Sequence, residues 1–461
     1  MRFRRQDDYY TCVRFRKLML NSTLTMLAVL LSPNAFSQTP DTFRPIGATD
    51  PGPRGGAAGV GGAIGGLVGN EASVFASGLE AFSEVDSVTG VLTEAKGLGP
   101  RFNLDSCAGC HAQPAIGGTS PAVNPQIAVA RKAGAFNSIP SFIKENGPVR
   151  EARFVRNADG SPDGGVADLF TVRGRSDANG CNITQPDFAS AVANHNVVFR
   201  IPTPVFGAGL IEAIDDSTII ANKNATSFQK SRLGISGREN RSGNDGSITR
   251  FGWKAQNKSL MIFAGEAYNV EQGVTNDIFM HERDTTPGCR FLPSPEDHFD
   301  VSSPTFPGGG GDVVLFTIFM RFLAPPARGP INLSVNNGAA LFASTGCAFC
   351  HTPTLQTSPQ TTPALANKPA NLYSDLLVHN MGSGLADGIS QGTAGGNEFR
   401  TAPLWGLGKR LFFLHDGRSS ELVSAIQAHS STGSEANQVV SNYNDLTNSQ
   451  KQDLLNFLRS L

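Results

Sequence analysis

Two pentapeptides of one form, Cys107-Ala-Gly-Cys110-His111 and Cys347-Ala-Phe-Cys350-His351, constrain this chain more than any other feature. In C-x-x-C-H, two thiols one helical turn apart add across the vinyl groups of a porphyrin. The adjacent imidazole then lies under the iron as its proximal ligand. The chain has only seven Cys, so two complete copies argue for two covalent haem c groups. A zinc site would need further Cys or His at ligand spacing beside each motif, and neither has them. A thioredoxin-like pair would sit in a strand–helix context without a following His.

The rest of the sequence suits a chain built around such groups. It runs to 461 residues, with 51 Gly and only 17% charged residues. That length suffices for two or three domains. A formal net charge of −1 offers no broad basic field for nucleic acid. Arg2, Arg4, Arg5, Arg14, Arg16 and Lys17 precede an apolar stretch from Leu18 to Leu31, and Ala35-Phe36-Ser37 has small-x-small form. Residues 1–37 therefore read as a secretion signal, with an uncleaved anchor left open, and the location as periplasmic. Cys12 leaves with the signal. Cys181 and Cys289 remain as an even pair in an oxidising compartment and are expected to form a disulfide; the alternative is two separate buried thiols.

Periodicity organises the remainder. Residues 38–70 are Gly/Pro-rich and read as an irregular or mobile arm. Val74, Leu79 and Phe82 set a helix over about 71–82, and the run from Val313 to Leu323 reads as a buried helix. Residues 325–330 are a Pro-rich linker. A helix with Leu341 and Phe342 leads into the second motif, and Leu454, Leu455, Phe457 and Leu458 mark a closing helix. The fold expectation is mainly α, with two cytochrome c-type haem domains. The first, 71–324, carries a large loop-rich insertion with some β at about 116–250; the second is 331–461.

Four stretches (102–118, 200–214, 250–256 and 401–408) resemble the bacterial di-haem oxidoreductases, also called thiol oxidoreductases, which are related to di-haem cytochrome c peroxidases. The resemblance implies peroxide reduction at the first haem, with electrons passing through the second. It implies that Trp253 bridges the haems and that Glu271 is the distal acid, although the gap between them is shorter here and Phe263 falls where the peroxidases carry Gln. After His415-Asp416-Gly417 the family offset of the sixth iron ligand lands on His429, which makes His351 and His429 an axial pair. His379 and Met381 compete for that role. Trp405 is expected to pack on haem, His415 to bond a loop or a propionate, and His195 is a weak distal candidate. The related peroxidases carry Ca²⁺ between the haems; no full ligand set can be placed, Thr401 lying in the relevant region. The donor expected is a small redox protein (a cytochrome c or cupredoxin) or a quinol-linked one. The rival readings are a non-catalytic electron-transfer cytochrome and a di-haem oxygenase resembling the longer rubber oxygenases.

Overall fold

Each C-x-x-C-H segment follows a helix that crosses a second helix at a glycine. In the computed structural model, which describes residues 47–300 and 310–461, Glu71–Ser83 packs on Asp312–Phe322, and Leu333–Thr345 packs on Asn448–Ser460. At Gly78 a Cβ would stand 2.5 Å from the Leu315 carbonyl oxygen; at Gly338 it would stand 2.0 Å from that of Asp453. No side chain fits between backbones this close, so both crossings require glycine. One turn on, Phe82 stacks at 4.6 Å on Phe319, and Phe342 meets Phe457 at 5.2 Å. Each of these leading-helix phenylalanines also packs against the motif histidine, His111 at 5.9 Å and His351 at 6.3 Å. One five-residue pattern, Gly-x-x-x-Phe, thus seats both imidazoles.

The helices begin and end for local reasons. Ser259, Asn332 and Thr447 accept the backbone N–H three residues on, capping Leu260–Gln272, Leu333–Thr345 and Asn448–Ser460. Gly273 and Gly346 close the first two in the left-handed region.

The large core joins the Glu71–Ser83, Ala208–Glu212, Leu260–Gln272 and Asp312–Phe322 helices, and takes in Leu355, Leu365, Leu372, Leu376, Leu377 and Trp405 from beyond residue 330. The Pro-rich 324–330 segment therefore runs across a continuous interior. Its Ala324 and Ala327 amides donate to Gly62 and Gly59, and Gly329 donates to Ser460. A second core gathers residues 88–199 with Cys289 and Phe291. It contains the antiparallel sheet in which Glu151–Phe154 lies between Val166–Ala167 and Val197–Arg200. The Cys181 and Cys289 sulfurs stand at bonding distance, with Cα atoms 4.6 Å apart. Residues 205–251 pack into the large core instead, because their apolar side chains meet the helices rather than the sheet.

The signal segment, Cys12 and the arm up to residue 46 lie outside the described residues. From residue 47 the arm is not loose. Asp50 accepts from Arg459 Nε and Nη2 at 2.7 Å each and caps the Leu422 amide at 2.7 Å. Ile64 N–H donates to Phe322. Backbone and ion-pair bonds order this segment, and apolar periodicity cannot reveal those. No helix among the described residues is long and apolar enough to cross a membrane.

Candidate functional site

Both motifs open onto clefts, of about 1160 and 1440 Å³ counting the space open to solvent. The first holds Cys107, Cys110 and His111; the second holds Cys347, Cys350 and His351. All four thiols are free. His111 shares its Nδ1 with the Gly118 carbonyl at 2.9 Å, and His351 with that of Tyr373 at 3.0 Å. A carbonyl can only accept, so Nδ1 carries the proton and the Nε2 lone pair is left for a metal. Burial pushes both imidazoles down to about 4, with His429 adding to the effect at His351. Both are neutral, as iron ligation requires.

Three histidines besides His351 line the second cleft, and their bonding separates them. His429, at the end of Leu422–Ala428, ties Nδ1 to Ala425 O at 2.7 Å, the same arrangement as the two motif histidines. His379 has both nitrogens taken, Nε2 by Asp375 at 3.0 Å and Nδ1 by Glu435 at 2.8 Å. Burial works against its charge, but the Cys350 sulfur and Asp375 outweigh burial and hold its proton well above the usual imidazole range. It has no lone pair to give. His415 stacks on Phe399 at 4.3 Å and meets Trp253 edge-on at 6.4 Å. Met381 also lines this cleft.

Trp253 is the one residue, among those described, that lines both clefts. Its indole N–H donates to Ile201 O at 2.9 Å, and its carbonyl accepts from Arg400 N–H at 2.8 Å. Behind it, Asp387 binds Arg200 at 2.8 Å and Lys254 at 3.0 Å, all three buried. The Lys254 ammonium sits 4.0 Å over Phe399. This locked charge cluster fixes the wall from which Trp253 projects.

Glu271 is not on a surface stretch, as its sequence neighbours suggest. It projects into the first cleft from the last turn of Leu260–Gln272. Burial, then the charge of Glu151, raises its carboxyl to about 8, with Arg153 acting against them. Phe263, also in this wall, stacks on Phe251 at 6.1 Å. Gln272 joins the Cys107 sulfur at 3.2 Å to Asp86 at 3.0 Å.

The residues present fit haem. Each cleft supplies two free thiols and one neutral imidazole with a free lone pair, in a volume suited to a large flat ligand. Haem also brings two propionates. Among the described residues, Arg400 and Arg410 line the second cleft with no carboxylate partner, and burial pushes both down to about 10. Arg150 lines the first, with a buried Nε that lacks an acceptor among the described residues. Buried cations left short of partners call for an anion.

Two expectations are corrected. Trp405 lines neither cleft: it fills the large core, packed where a Cβ on Gly207 would come within 2.6 Å of its ring. His195 is exposed beyond the Phe188–Ala193 helix, away from both clefts. Thr401 lines the second cleft and spends its backbone on Leu377 and Ser374. Among the described residues no group of three or more His, Cys, Asp or Glu could hold a metal ion. Glu151, Arg153, Arg400 and Arg410 escaped sequence reading, since charged residues at these positions carry no motif.

Residues 150–461 match the family described as "Di-haem oxidoreductase, putative peroxidase". The chain belongs to this di-haem oxidoreductase family, and haem is its cofactor class. The matched span contains the second motif and begins after the first. No curated protein matches the chain. Among solved structures, a MauG-like protein associated with microbial copper homeostasis is 17% identical, with a TM-score of 0.30 over 56% of this chain and 90% of that one. Hydrazine synthase of Kuenenia stuttgartiensis is also 17% identical, with a TM-score of 0.22 over 34% of this chain. The chain spans 59% of that hydrazine synthase chain.

Proposed function

We propose that this protein is a periplasmic di-haem c peroxidase. Hydrogen peroxide or a similar small oxidant is reduced in the first cleft, with electrons entering through the second. The observation that carries the reading is the asymmetry of two clefts joined at Trp253. The second is lined by His429 as well as the motif imidazole; the first is lined by the Glu271 carboxyl and, among the described residues, by no histidine besides His111. Haem bound in the two clefts would supply one-electron redox chemistry and, in the first, a site for a small oxidant.

The chain's residues do the rest. Cys107, Cys110, Cys347 and Cys350 anchor the porphyrins as thioethers. His111 and His351 would each ligate a haem iron. His429 would supply a further imidazole to the second haem, and two imidazoles would set a lower potential than a thioether ligand. Glu271 holds a proton near neutral pH and hands it to the leaving oxygen of the peroxide, so that water rather than hydroxide departs. The Trp253 indole provides the path between the clefts, and Arg400 and Arg410 neutralise propionates. The electrons come from a small redox protein or a quinol-linked donor.

The test is spectroscopic and kinetic on the exported, haem-loaded protein. One high-spin and one low-spin signal in electron paramagnetic resonance, CO binding to one reduced haem, and peroxide turnover with a reduced cytochrome c are expected. If neither reduced haem binds CO, the protein is an electron-transfer cytochrome and the peroxidase reading fails.

A further inference from the structure

We propose that Glu151 is a second acid–base group of the first cleft, working together with Glu271 from the opposite element. This inference rests on the peroxide reading and goes beyond the single distal acid that the sequence offers.

Glu151 opens the central strand of the three-stranded sheet, in register with Arg200. Residues two apart on a strand share a face, and Arg153 Nε donates to Glu151 Oε1 from that face. Both line the first cleft, where Glu271 arrives from a helix 120 positions later in the chain. The two carboxyls are held differently. Arg153 gives Glu151 a cation. Among the described residues no hydrogen bond or ion pair takes the Glu271 carboxyl; only its backbone carbonyl is used, by Asn103. Glu266 and Tyr268 face the cleft from Glu271's own helix, Arg150 and Arg200 from the sheet, and Cys107, Cys110 and His111 from the motif. Glu151 is the foremost charge acting on Glu271, and it favours the protonated form there. One carboxyl is tied to a cation and the other is not, and two carboxyls held so differently in one cleft can divide acid and base roles between them.

The division suits peroxide, in which one oxygen must lose a proton while the other gains one. Glu151 accepts the proton of the retained oxygen. The O–O bond breaks, its electron pair goes with the leaving oxygen, and Glu271 protonates that oxygen to water. Two electrons from a one-electron redox-protein donor, the proton returned by Glu151 and two solvent protons complete the second water and restore Glu271. The sum is one peroxide, two electrons and two protons to two waters.

The experiment follows the protonated carboxyl band of Glu271 by infrared difference against pH, assigned by its absence in Glu271→Gln. In the wild type the band should persist at neutral pH. In Glu151→Gln it should titrate at lower pH, toward the ordinary carboxylate range, and peroxide turnover should fall by about 10²-fold. Glu151→Asp, which keeps the charge, should retain the band's titration and much of the turnover. An unmoved band and an unmoved pH profile in Glu151→Gln would overturn the pairing. Wild-type protein that reduces no peroxide with any donor would instead sink the proposed function, while the infrared titration still decides whether the two carboxyls are coupled.

Discussion

The two haem clefts share a frame and differ in what faces it. In both, a Gly-x-x-x-Phe helix crosses a second helix, its Phe seats the motif imidazole, and a carbonyl fixes that imidazole's tautomer. Opposite that frame, the second cleft presents His429 and two unpaired arginines. The first presents Glu271, Glu151 and Arg153. The lesson is that attachment and chemistry are separable: one frame recurs in both clefts, and under the proposed function the facing wall sets what each haem would do.

His429→Ala should abolish the difference most completely. The second haem should lose its low-spin signal and bind CO, leaving two open sites; an unchanged low-spin spectrum would transfer the ligand role to Met381. Next comes Glu271→Gln, which should cut peroxide turnover by about 10²–10⁴-fold while the second haem's spectrum stays unchanged. Loss of both signals would mean a folding defect rather than a missing acid.

The frame itself is tested by Gly338→Ala and Gly78→Ala. Overpacking a tight crossing costs about 1–3 kcal/mol. The closer approach at Gly338 should make its variant the less stable of the two by thermal unfolding. Equal losses would argue against the difference in closeness between the two crossings.

The smallest effect is on pH dependence. The Glu271 carboxyl is raised from an ordinary 4.5 to about 8 in the folded protein. Between those values the folded state keeps a proton that the unfolded chain has released. Stability must therefore fall as pH rises through that window. Glu271→Gln should flatten the fall in melting temperature between about pH 5 and 8, though Asp86 and Glu296, both raised to about 7 by burial, will retain part of it.

Much of the frame was legible in the chain. Helices around Val74–Phe82, Val313–Leu323 and the closing segment follow from apolar spacing, and the structure has helices there. The facing walls were far less legible. Glu271 reads as an exposed glutamate beside Glu266, and only the fold turns it into a cleft shared with a strand 120 positions earlier. The family offset favours His429 over His379 without giving a physical reason. The structure supplies one: Asp375 and Glu435 occupy both nitrogens of His379, while the His429 ring bonds, among the described residues, only through Nδ1. The arm from residue 47 looks loose because Gly and Pro hide the ion pair and backbone bonds that dock it.

The sequence by itself determined the two C-x-x-C-H segments and the helices that carry them, because thioether spacing and amphipathic period are complete within a few residues. Only the tertiary structure decided that Trp253 stands in both clefts, that Trp405 stands in neither, and that Glu151 and Glu271 line the same one. Those facts depend on burial and on charges brought together from distant positions. A carboxyl's proton or an imidazole's free lone pair is set by such neighbours, and no local pattern encodes them.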